Sequence, residues 1–205
     1  QRVGELAEEV GLTFCFAPVF HSALRHSAVP RRELGVATTF NFLGPLANPA
    51  RPAAQAVGVA DARMAAIIAG VLANRGVDGF VFRGHDGLDE LTTTTTSQIW
   101  AIVDGAVTEH ELEPAELGVA RAQPSDLKGG DVAFNVAVVH RLLAGETGPV
   151  RDAVLLNAAA GIAAYDAGPG NVTERLAAGL ERAAQAVDSG AAKAKLESWL
   201  AAASP

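Results

Sequence analysis

The sequence predicts an α/β fold, a mainly parallel sheet flanked by helices, in one domain covering residues 1–205. Two observations point there. Between residues 55 and 83 an apolar run of strand length gives way to helical spacing, then to a second such run; this alternation is that of a parallel βαβ unit. Beyond Asp131 the chain reads as helix nearly throughout, which supplies flanking layers. Neither an internal repeat nor a linker divides it.

Residues 1–10 place Val3, Leu6 and Val10 on one side of a helix that Gly11 stops. Leu12–Phe16 is apolar and aromatic, the pattern of a short buried strand ended by Ala17-Pro18. Val19–Ser27 reads as helix, and Glu33-Leu34 as a short turn before Gly35. Thr38–Leu43 could pair as strand, and Gly44-Pro45 and Asn48-Pro49 break the chain sharply, because glycine permits unusual backbone angles and proline fixes φ. Gln55–Ala60 is a strand, and Asp61 caps the helix carrying Met64, Ile67, Ile68, Val71 and Leu72, which Gly76 ends. Asp78–Arg83 is the next strand, and Gly84–Glu90 the loop after it. Ser97–Val103 turns at Asp104-Gly105 into a hairpin partner, Ala106–Leu112. Residues 113–130 are irregular. Asp131 caps a helix bearing Val132, Val136, Val139 and Leu143. Arg151–Tyr165 is apolar nearly all round, as a buried helix is. Asn171 and Glu174 have capping-box spacing ahead of the stripe Leu176, Leu180, Ala184 and Val187. A last helix carries Leu196 and Trp199, and the Ala-rich tail after it is expected to fray.

Composition narrows the function. Hydrophobic residues make up 49% of 205, yet no apolar stretch reaches the ~20 residues a membrane helix takes. A net charge of -7 argues against a general nucleic-acid binder, which usually shows a basic stripe. The single cysteine, Cys15, lies in an apolar run with no activating His or cation beside it, so it reads as a buried, inert thiol in a reducing compartment. The chain opens on Gln1 inside a helical pattern, the expectation for a fragment or one product of a cut.

Two places offer chemistry. Arg31-Arg32, followed by the run to Leu43 and two turns, suits one wall of a site for an anion; the same stretch also reads as a connecting loop with a solvated cation pair. A guanidinium presents a planar fork that matches a carboxylate. The second place is Asp89-Glu90, in the loop after a strand, where ligands of open α/β sheets bind. Adjacent carboxylates in a loop can turn toward one hard cation such as Mg²⁺, whose other ligands are waters and substrate phosphates; by spacing alone they also read as a solvated turn. Asp86 is either an acid behind that pair or the turn residue of Asp-Gly. Of the hydroxyls from Thr92 to Thr96, Thr92 alone is a candidate for more than strand entry. His26, His85, His110 and His140 lack metal-ligand spacing.

The wording of these stretches resembles a known family. HxAxxxxxxxRRELGxxTxFNxLGPLxNPA from His21 to Ala50, DGLDELTTTTT from Asp86 to Thr96 and VRDAVLLNAAA from Val150 to Ala160 resemble the anthranilate phosphoribosyltransferases of tryptophan biosynthesis, in their larger C-terminal part. The resemblance implies a fold like that of nucleoside phosphorylases and class IV phosphoribosyltransferases, truncated at the N-terminus, with the helical domain largely absent. It implies transfer of phosphoribosyl from phosphoribosyl diphosphate to anthranilate, in the cytoplasm, with Mg²⁺ as cofactor. Arg31 would bind the anthranilate carboxylate, His21 would lie near the acceptor's entry or serve structure alone, Gly44 and Pro45 would line its path, and Asp89 and Glu90 would bind the metal. No enzyme nucleophile is implied. The chain departs from the family at Ala37, where Arg or Pro often stands, and in lacking the glycine-rich GTGGD-like and KHGN-like segments; Lys128-Gly129-Gly130-Asp131 is the nearest approach, at another place. The expected partners are accordingly a separate N-terminal half or a second copy. The alternatives are a nucleoside phosphorylase of the same architecture and an inactive assembly module.

Overall fold

The computed structural model describes residues 2–20, 28–36 and 42–203. They fall into two compact units, residues 1–51 with 190–205, and residues 52–189.

In the first unit, α1 (Arg2–Val10) is amphipathic and buries Leu6. α9 (Ala191–Ala203) meets it at both ends: Arg2 donates to the Ala202 carbonyl at 2.6 Å, and Lys195 to the Val10 carbonyl at 2.6 Å. α2 (Ala17–Phe20), α3 (Ala28–Leu34) and α4 (Leu43–Leu46) are short. Three expectations are corrected here. Leu12–Phe16 forms no strand and is not buried: the Phe14 ring is 64% exposed and faces Phe16 at 6.1 Å, with no neighbouring strand described for it to pair with. Residues 31–34 belong to a helix rather than a turn. Gly44-Pro45 lies within the single helical turn of α4, since a proline's fixed φ is helical and it needs no N–H bond in a first turn. At Asn48 the side chain accepts from the Ala50 N–H at 3.0 Å, closing the expected turn. His21, Ala37 and most of the Thr38–Leu43 run lie outside the described residues.

The second unit is built on a sheet of order β1-β2-β3-β4: Ala54–Gly58, Asp78–Gly84, Ser97–Val103 and Ala106–Leu112. β1 and β2 are parallel, joined through α5 (Ala62–Asn74). The Asp61 side chain accepts from the Arg63 N–H at 2.9 Å and caps α5; the Arg63 guanidinium, with that N–H, holds the Asp61 carboxyl down at about 2. The α/β class is borne out, but among the described strands the sheet is mixed rather than mainly parallel. The reason is connectivity: the β2–β3 loop carries no helix, and β3–β4 is a hairpin, so both pairings run antiparallel.

β2 is buried on both faces. Phe80 and Phe82 join Ile99, Ala101 and Leu112 in a cluster with α7 (Pro149–Asp166) and α8 (Val172–Asp188), while Val81, paired with Trp100, points the other way, toward the face that α5 covers. α7 and α8 pack closely: a Cβ on Gly179 would press into the backbone of Ala159. The Asn171–Glu174 capping box is present, with 3.0 and 2.9 Å bonds. Arg175 is buried beneath it, donating to the Ala163 carbonyl at 2.9 Å with its guanidinium 4.9 Å from the Phe80 ring centre. α6 (Val132–Leu143) has the predicted Asp131 cap, but its stripe is outward: Val132 is 81% exposed. α7 is not buried all round either; Tyr165 is 80% exposed.

Candidate functional site: the loop after β2

β1 ends at Gly58, opposite Phe82, β2 runs on to Gly84, and the chain from His85 to Thr96 leaves that carboxyl end and comes back against Gly58 at Asp89. Asp89 and Glu90 sit on this crossing, both exposed. The Asp89 carbonyl lies against the Gly58 Cα, where a Cβ would overlap it. Only glycine at the end of β1 lets the loop come this close.

The stretch is tied down on both sides of the pair. Before it, the Asp86 carboxylate accepts from the Leu88 N–H at 3.1 Å, the Thr92 hydroxyl at 2.6 Å and the Thr94 hydroxyl at 2.5 Å. Burial pushes the Asp86 carboxyl up, but these donors outweigh it, and the group lies below its usual value. After the pair, Asn157 of α7 grips the Leu91 backbone: its Oδ1 accepts from the Leu91 N–H and its Nδ2 donates to the Leu91 carbonyl, both at 2.9 Å. The Thr92 N–H donates to the buried Ser97 Oγ at 3.0 Å, joining the loop to β3.

Neither Asp89 nor Glu90 pairs with a cation among the described residues, where no group of three or more His, Cys, Asp or Glu converges. The donor set present is two adjacent hard oxygen groups, open to solvent, on a restrained backbone. That fits a cation such as Mg²⁺ completing its shell with water and a substrate's phosphates, and not a metal enclosed by protein ligands. Asp86, open to two readings from sequence, is spent on internal hydrogen bonds, and so is Thr92. Gly44 and Pro45 lie in α4 and Arg31 in α3, in the first unit, whereas Asp89 and Glu90 lie in the second. Asn157 and Gly58 escape the sequence reading. The signal available for Asn157 is an amide inside the apolar run LLNAAA; Gly58 carries none, because nothing local marks a contact with a residue 31 positions away.

Comparison with known proteins follows this geometry. Over 202 residues the chain is 62% identical to an anthranilate phosphoribosyltransferase of Nocardioides sp., covering 98% of the chain and 59% of the relative. It therefore spans about three-fifths of the length of the curated relatives it matches. A crystal structure of the Thermus thermophilus enzyme of that name superposes with a TM-score of 0.89 at 41% identity, over 98% of this chain and 59% of that one. The Saccharomyces cerevisiae enzyme, solved in complex with PRPP and Mg, gives 0.88 at 26%, over 98% and 57%. From residue 1 to residue 193 the chain matches the model of the glycosyl transferase family, a/b domain, and it belongs to that family.

Proposed function

We propose that this chain serves transfer of a phosphoribosyl group from phosphoribosyl diphosphate to the amine of anthranilate, giving N-(5′-phosphoribosyl)anthranilate and diphosphate. What carries the reading is the similarity to proteins of that name across nearly its whole length, together with two exposed carboxylates, unpaired among the described residues, in the loop that follows β2. On this reading the protein is one of the cytoplasmic enzymes of tryptophan biosynthesis.

Asp89 and Glu90 would hold Mg²⁺. Bound there with the diphosphate, the ion supplies stabilisation of the negative charge that the leaving group gathers. The carboxylates need no proton transfer for this role; they need to stay ionised and in place. Arg31 is assigned the anthranilate carboxylate, by the chemistry of its planar fork. Fixing that end points the aromatic amine at the sugar carbon, and positioning of this kind supplies a large part of such a rate enhancement. The Gly44-Pro45 turn is assigned to the acceptor's path, and His21 to its entry.

The test follows loss of anthranilate fluorescence with phosphoribosyl diphosphate and Mg²⁺. It is run on the chain alone and on the chain supplied with the remaining portion of a relative. Turnover is expected in at least one arm. Asp89→Ala is expected to lower kcat/KM by about 10²-fold or more, the loss of one preorganised electrostatic contact. Arg31→Ala is expected to raise the KM for anthranilate more than that for phosphoribosyl diphosphate. No turnover in either arm by folded protein, or cleavage of thymidine by phosphate in its place, contradicts the proposal.

A further inference from the structure

We infer that Asn157 is a positioning residue for the Asp89-Glu90 pair, acting through the Leu91 backbone. The claim rests on the proposed metal-binding role of that pair, but its mechanical part stands apart from it.

Asn157 bonds both backbone polar groups of one residue. Oδ1 takes the Leu91 N–H and Nδ2 gives to the Leu91 carbonyl, each at 2.9 Å, while Nδ2 also donates to the Ala153 carbonyl of its own helix at 2.9 Å. A third contact within α7 fixes the side-chain rotamer, so the grip has a fixed direction. It spans 66 residues and joins a loop to an 18-residue helix packed on the sheet. Bonds to the two peptide groups that flank the Leu91 Cα restrain rotation as well as position, which a single bond would not.

The place of the grip matters. Leu91 directly follows Glu90, and its side chain is 1% exposed in the core. The loop is pinned again at Leu88, by Asp86, and at Asp89 by the close approach to Gly58. Between these points Asp89 and Glu90 have short backbone travel and no protein partner for their carboxylates among the described residues. Two carboxylates that must meet one small ion gain affinity when their separation is set before binding, because less ordering remains to be done. A polar amide between Leu156 and Ala158, in a largely apolar stretch of the helix, has no packing reason to be there; its hydrogen-bond partners give the reason.

The probe is Mn²⁺ itself, titrated into the chain and followed by electron paramagnetic resonance, with backbone ¹⁵N relaxation of Asp89 and Glu90 read on the same samples. In Asn157→Ala the Mn²⁺ dissociation constant is expected to rise about tenfold or more, as for other losses of support behind metal ligands. The Asp89 and Glu90 amides are expected to become more mobile. Asn157→Asp keeps the acceptor and loses both donor bonds, and should give an intermediate value. Leu72→Ala, a cavity in α5 on the opposite face of the sheet, destabilises the fold and should leave both readouts unchanged. The inference is overturned if the Asp89 and Glu90 amides keep wild-type relaxation in both Asn157 variants. It is equally overturned if Mn²⁺ binds those variants as it binds wild type, or if Leu72→Ala weakens binding as much. Wild type that binds no Mn²⁺, with the loop still mobilised by Asn157→Ala, removes the metal reading and leaves the mechanical role standing.

Discussion

Asp86 organises the crossing from β2 to β3 at the residue scale. Three donors converge on one carboxylate, and together they outweigh the upward push that partial burial gives it. Because its folded pKa lies below the unfolded one, its contribution to stability is present above the ordinary carboxylate pKa and fades as pH falls through the folded value. Thr92→Val removes a hydroxyl donor at nearly constant volume. The Asp86 carboxyl should then titrate at higher pH than in wild type, toward its ordinary value, as read from its side-chain ¹³C shift. An unchanged titration would show that the Leu88 N–H and Thr94 hold the charge without Thr92. Arg121 shows a different economy nearby: it pairs with Glu113 and donates to the Thr94 carbonyl at 2.9 Å, so a surface ion pair also braces the far end of the same loop.

At the scale of elements, the contact of α7 with α8 separates propensity from packing. Gly161 of α7 has open space where a Cβ would go, whereas one on Gly179 of α8 would run into the Ala159 backbone. Gly161→Ala should therefore stabilise by up to ~1 kcal/mol, the ordinary helix preference for alanine. Gly179→Ala gains the same preference and meets a rigid backbone, so the overlap should win, with a net loss of about 1–3 kcal/mol. Urea unfolding of the two variants checks the opposite signs; equal signs would mean the helices part without cost. Element boundaries here were legible where chemistry is local. The Asp61, Asp131 and Asn171 caps and the Ser97–Val103 and Ala106–Leu112 strands fall as their residues predict. Where the outcome depended on distant partners it was not legible. Among the described residues, the Phe14–Phe16 stretch has strand composition and no strand beside it, and the stripe of α6 has helical spacing and no layer over it. Strand direction failed for the same reason, since local pattern marks β2 and β3 but only the helix-free loop between them sets their opposite sense.

For the whole molecule, two compact units divide the residues assigned to the site. Arg31, Gly44 and Pro45 stand in one, Asp89 and Glu90 in the other. The carboxylate pair itself was readable, because Asp-Glu after a strand end is a local signal with a known chemistry. Its supports were not, because Gly58 and Asn157 reach it only through the fold. With a net charge of -7 this chain offers the proposed anionic substrate no favourable overall field, so in this account attraction comes from local groups and from the cation. That makes the metal at Asp89 and Glu90 the central claim. The direct measurement is anomalous diffraction from crystals of the protein soaked with Mn²⁺ and phosphoribosyl diphosphate. The account predicts an anomalous peak within coordination distance of the Asp89 and Glu90 carboxylates, with diphosphate oxygens on its open side. A fully occupied peak elsewhere, with both carboxylates still facing solvent, would contradict it.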